Sequence, residues 1–163
     1  MSNNNPTAVF TSLLHRKPHA KALIFGSKKY PSVIGSVSFY HTPCGVLVAS
    51  EIRGLPTSSE KCNCPVFGFH IHEVGCCTGK SDDPFADVSL HYNPNNCPHP
   101  YHAGDLPPLF GANGYAFSVF LTNRFTLGEI IGKAVIIHAS PDDFTSQPSG
   151  NAGEKMACGR IRI

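Results

Sequence analysis

Two histidines stand two apart in the apolar run "GFHIHE", residues 68–73. In an extended strand such residues point the same way, so His70 and His72 share one face and Ile71 takes the other. Two neutral imidazoles side by side are poor packing material but good ligands for one transition-metal ion. The competing reading makes one of them a satisfied core residue and the other a rim residue. A second constellation lies downstream in "LHYNPNNCPHPYHAGDLPPL", where His91, His99, His102 and Asp105 follow at intervals of eight, three and three. Three imidazoles and a carboxylate make a complete tetrahedral shell for Zn²⁺. The prolines between them stiffen the segment and lower the entropy of assembling the ligands. His138 ends the apolar run "AVIIHA" and could complete the set around His70 and His72; alone it reads equally as a strand-end histidine.

The elements that must position these residues read as strands. Between residues 20 and 53, "AKALIF", "SVIGSVSFY" and "GVLVASEIRG" alternate with turns, and "VFGFHIHE" follows a loop. Residues 74–114 hold no period and are rich in Gly, Pro, Asn, Asp and His. A loop this long in a compact domain is usually functional. The β pattern resumes in "YAFSVFL", "GKAVIIHA" and "MACGRIRI", and "FTLGEIIGK" predicts one helical turn. Strands at regular spacing predict an all-β, antiparallel sandwich or barrel. The 163 residues suit one domain, residues 19–163, preceded by a loose arm over residues 1–18.

Composition excludes several function classes. With 13 basic against 11 acidic residues and no run of either sign, no nucleic-acid surface and no polybasic membrane anchor is expected. No apolar stretch is long enough to span a bilayer. The polar N-terminus lacks the pattern of a secretory signal, which predicts a cytoplasmic chain. Seven cysteines leave at least one unpaired if the others bridge within the chain. Cys62, Cys64, Cys76 and Cys77 invite a Cys/His zinc cluster, but neither pair has C-x-x-C spacing.

The pieces "GFHIHE", "HYNP", "HAGDLP", "IIHASPDDF" and "GNAGEKMACGRI" are similar, in order and approximate spacing, to copper–zinc superoxide dismutases of bacterial type. The resemblance covers roughly residues 19–163. It implies an eight-stranded Greek-key barrel of immunoglobulin-like sandwich type with long metal-binding loops. It also implies that His70, His72, His91 and His138 bind copper, and that His91, His99, His102 and Asp105 bind zinc, with His91 bridging. Asp142 would link His70 to His99 and fix both tautomers. Cys77 and Cys158 match the family's disulfide. The implied reaction is a two-step redox cycle in which one superoxide leaves as O₂ and a second as hydrogen peroxide, His91 handling a proton. Lys155 stands where the family usually places the arginine that guides the anion; it keeps the charge but loses the planar fork. A positive channel mouth, with Lys155 its best candidate member, would raise the on-rate of the anion.

A second departure is that only "PY" separates His99 from His102, shorter than the family's usual segment. The alternatives are a distorted zinc site or the loss of one of these ligands. A homodimer is compatible with the resemblance. Two rival functions stay open at this point: a non-catalytic dismutase-like copper/zinc-binding module, and a structural zinc protein using Cys62, Cys64, Cys76 and Cys77.

Overall fold

The structure is a computed structural model that describes residues 6–59 and 65–163. Strands β1 (Ala20–Gly26), β2 (Ile34–Thr42) and β3 (Gly45–Arg53) form an antiparallel meander. After them come β4 (Val66–Phe67), β5 (Phe69–His72), β6 (Leu109–Phe110), β7 (Tyr115–Thr122), β8 (Ala134–His138) and β9 (Lys155–Arg162). The sheet order is β5-β8-β9-β1-β2-β3-β7, with β4 pairing β6 apart from it. Because β4 runs on into β5 through Gly68, and β6 leads into β7, that short pair joins the two edges of the curled sheet. Taken as one strand broken at Gly68, residues 66–72 bring the total to the expected eight. The pairings of β3 with β7, β5 with β8 and β9 with β1 join strands that are not sequence neighbours, as a Greek key requires.

Helical structure is slight. The helical turn predicted in "FTLGEIIGK" is α2 (Leu127–Ile130). The segment expected to be a loose arm contains α1 (Pro6–Leu14), so part of it has regular structure; residues 1–5 lie outside the described residues. No helix among the described residues is long and apolar enough to cross a membrane.

Burial along the strands explains where the histidines face. In β1, Ala20, Ala22 and Ile24 are buried while Lys21, Leu23 and Phe25 are exposed, the alternation of a sheet with one wet face. In contrast, β5 and β8 are buried at every position. One face of this pair, with Phe69, Ile71, Val135 and Ile137, belongs to the main core. The other face lies under the long loop, where Phe85 and Val88 pack with Ala134, Ile136 and Cys158 in a second apolar cluster. His70 and His72 belong to this second face. They sit outside the barrel interior yet away from water.

The loop is tied to the sheet at several points. Ile71 donates to Gly104 O and Tyr92 donates to Ile71 O, so two loop segments pair with β5 as extra strands would. Cys77 is bonded to Cys158 on β9 with a Cα–Cα distance of 5.7 Å, closing a span of 81 residues. Cys76, its neighbour, is exposed and free. Cys77→Ser and Cys158→Ser are each expected to lower the unfolding free energy by about 2–5 kcal/mol. Urea titration of the metal-free protein reads the loss. Peptide mapping under non-reducing conditions that found Cys76 joined to Cys158 would overturn the assignment.

Candidate metal centre

His70 and His72 project from β5, His138 ends β8, and His91 enters from the loop through an isolated bridge to His72. A similar bridge sets Asp105 against His70. Two groups result: His70, His72, His91 and His138, and His91, His99, His102 and Asp105, with the ligating atoms of each within 4.8 Å of one another. All seven residues are buried. The short spacer between His99 and His102 therefore does not prevent either from joining the second group.

Hydrogen bonds select one free nitrogen on the rings of His70, His72, His99 and His138. His72 Nδ1 lies 2.8 Å from Ser89 O and His138 Nδ1 lies 3.2 Å from Gly153 O. A carbonyl only accepts, so these nitrogens carry the proton and Nε2 keeps a lone pair. Asp142 does the same from the other side, with Oδ2 at 2.7 Å from His70 Nε2 and Oδ1 at 2.9 Å from His99 Nε2. Room for this carboxylate comes from Gly150, whose φ of +71° and lack of a side chain let Asp142 and His99 meet; a Cβ there would strike both. Among the described residues, the buried side-chain nitrogens and oxygens left without a hydrogen-bond partner are His70 Nδ1, His72 Nε2, His91 Nε2, His99 Nδ1, His102 Nδ1 and His138 Nε2. Each such atom costs about 1–3 kcal/mol unless something satisfies it. Six of them converging in two groups is the signature of ligand atoms.

In the second group the Asp105 carboxylate stands close to all three imidazoles. Asp105 Oδ1 is 2.7 Å from His91 Nδ1, and Asp105 Oδ2 lies 3.0 Å from His99 Nδ1 and 3.3 Å from His102 Nδ1. The last two approaches lack hydrogen-bond geometry, since both nitrogens have no partner. Four atoms about 2.0 Å from a central zinc stand about 3.3 Å apart. His91 belongs to both groups, its ring centroid 4.0 Å from that of His70 and 5.6 Å from that of His102.

Electrostatics keep these donors in the form a metal needs. Burial, with neighbouring imidazoles, lowers the pKa of His70 and His72 and pushes His138 down to about 3, so all three are neutral at pH 7. Burial alone would raise Asp105 and Asp142, but hydrogen bonds from the facing imidazoles outweigh it and hold both below the usual carboxylate range. These residues fit a borderline, nitrogen-rich metal pair such as copper and zinc.

Two residues that sequence reasoning missed hold the second group in place. Arg124 Nη1 donates to Asp105 O at 3.0 Å, Pro100 O at 3.2 Å and His102 O at 3.4 Å, tying the segment after β7 to the loop. Gln147 brackets His99, accepting from its N–H at 3.0 Å and donating to its carbonyl at 2.7 Å. Nothing in "TNRF" or "SQPSG" marks either one, since their partners are backbone atoms remote in sequence. A zinc site with Cys77 is not formed, because that sulfur is in the disulfide; Cys62 and Cys64 lie outside the described residues.

Lys155 lies directly across from His138 in the β8–β9 ladder, at an irregularity in the register. It lines a pocket of about 330 Å³ that also reaches His72, His91 and His138, so the first group has access to solvent on this side.

Comparison with known proteins agrees with this geometry. The family copper/zinc superoxide dismutase (SODC) matches residues 33–161. The chain is 34% identical over 145 residues to superoxide dismutase [Cu-Zn] 2 of Aquifex aeolicus, covering 80% of each chain. It is also 34% identical over 149 residues to superoxide dismutase [Cu-Zn] of Legionella pneumophila, covering 86% of this chain and 85% of that one. Among solved structures it is similar to the clock protein EA4, with a TM-score of 0.73 and 27% identity over 91% of this chain and 96% of that chain. The family match over residues 33–161 and the two relatives that cover four-fifths or more of the chain, beside two histidine groups sharing one ring, place the chain in the copper/zinc superoxide dismutase family.

Proposed function

We propose that His70, His72, His91 and His138 hold the copper of this superoxide dismutase, and that His91, His99, His102 and Asp105 hold its zinc. The observation that carries this reading is the set of six buried, unpartnered ring nitrogens divided between two groups that share His91. When bound, copper supplies a one-electron couple and zinc a fixed charge without redox chemistry. His91 Nε2 faces the solvent-reached group and can hold a proton for the peroxide product, while Nδ1 faces Asp105. Asp142 holds His70 and His99 so that each offers Nδ1. Lys155, beside His138 in the pocket lining, draws the superoxide anion toward the site. A homodimer belongs to the same reading, supported by the apolar stripe of Tyr115, Phe117, Val119 and Leu121 exposed along β7.

Metal analysis with a superoxide assay tests the function. The protein is expected to bind about one copper and one zinc per chain, with activity following copper occupancy. Zinc binding with no dismutation after copper reconstitution would make it a non-catalytic metal-binding module instead.

A further inference from the structure

The sequence led one to expect a positive lining, but the pocket over the copper-side histidines carries more acidic than basic side chains. Its lining carries one cation, Lys155, and three carboxylates, Asp82, Asp83 and Glu154. Glu154 is engaged elsewhere, accepting from Lys29 Nζ and Tyr30 OH at 2.5 Å each. Asp83 is engaged with the lysine itself: Lys155 Nζ donates to Asp83 Oδ2 at 2.5 Å. The two side chains are only 19% and 39% exposed, so the pair is partly shielded from solvent screening.

Asp83 is held where it meets Lys155. Its Oδ1 accepts from Phe85 N–H at 3.2 Å, and its carbonyl accepts from Lys80 N–H at 2.8 Å and Ala86 N–H at 3.1 Å. The turn so formed lies between the Cys77–Cys158 bond and His91, two points fixed to the barrel. Lys155 is fixed in turn by its place on β9 opposite His138. Burial works against ionisation of Asp83, but the hydrogen bond from Lys155 and the Phe85 N–H outweigh it and lower its pKa. The carboxylate is therefore charged at neutral pH and opposes the lysine at close range.

We infer that Asp83 is a positioning residue for the anion entrance: it holds the Lys155 ammonium at the pocket wall and cancels most of its attraction for superoxide. The inference rests on the reading of Lys155 as the guide. From about 10 Å away, an opposed pair of this separation exerts roughly a quarter of the potential of the lysine alone. Capture of the anion is then governed by the pair and not by the cation.

Asp83→Asn keeps the shape of the side chain and removes its charge. In the metal-free protein, acetylation of Lys155 read by mass spectrometry is expected to rise severalfold as the amine is released. In the copper- and zinc-loaded protein, the second-order rate constant at low ionic strength is expected to rise about three- to tenfold and to fall more steeply with salt. Asp83→Glu should restore both readings toward those of the parent. Unchanged Lys155 labelling in Asp83→Asn overturns the inference, as does an equal rise in labelling from Asp82→Asn, which shares the pocket. A rate that falls when Lys155→Ala is added to Asp83→Asn, beside an unchanged rate for Asp83→Asn alone, overturns the role of Asp83 and leaves the guide. No fall on adding Lys155→Ala overturns the guide itself, and the inference with it.

Discussion

His138→Ala is expected to reduce superoxide dismutation to background while leaving the barrel and the zinc-side group in place. His138 closes β8, and its own N–H donates to Gly68 O at 2.8 Å, a backbone bond that the substitution keeps. His138 is 5% exposed, its imidazole held through Nδ1 by Gly153 O, and its free Nε2 is one of four nitrogens in the group proposed to hold copper. The three that remain come from β5 and the loop, so one side of the group opens toward the pocket. Neither His99, His102 nor Asp105 depends on His138 for a hydrogen bond. Metal analysis should therefore show copper depleted and zinc retained, and a thermal melt should remain cooperative. Full activity in a folded, copper-loaded variant would remove His138 from the site.

The chemistry was legible where a period or its loss exposes it. His70 and His72 stand out because a strand places alternate residues on one face, and the loop over residues 74–114 stands out because no period holds there. The continuous apolar run "AVIIH" reflects burial of β8 on both faces, by the core and by the loop. What stayed hidden depends on contacts between remote segments. Cys76 and Cys77 are adjacent, and only the fold decides which faces Cys158; the residues alone leave both open, and the pairing came from resemblance. Arg124 and Gln147 act on backbone atoms, which no side-chain pattern announces. The positive mouth expected around Lys155 missed Asp83, because residues 72 apart in sequence meet there. The two-residue strands β4 and β6 are too short for alternation to show.

Asp142 joins the two metal-side groups, so its loss is expected to affect both at once. Its carboxylate is buried and accepts three hydrogen bonds, from His70 Nε2 at 2.7 Å, His99 Nε2 at 2.9 Å and Phe144 N–H at 2.7 Å. Two of those bonds keep the proton on Nε2 and leave Nδ1 of each ring free to bind a metal. Asp142→Ala removes the acceptor from both rings, and each imidazole can then rotate or shift its proton to Nδ1. Losing such an outer hydrogen bond typically weakens metal affinity about 10–100-fold. Zinc affinity is expected to fall by that factor, because His99 is one of only four donors in its group. Asp142→Asn is the sharper variant. It preserves volume, but an amide has one acceptor oxygen and one NH₂, so it can accept from one imidazole while presenting a donor to the other. Two facing donors repel, and the disfavoured ring must move its proton onto Nδ1, the atom that would bind the metal. Asp142→Asn should therefore damage one group nearly as much as Asp142→Ala does, and largely spare the other. Competition titrations with a zinc chelator, together with the visible absorption of bound copper, identify which. Zinc affinity and copper absorption both unchanged in Asp142→Ala would mean that packing alone orients His70 and His99, and that the carboxylate between them has no part in preparing the site.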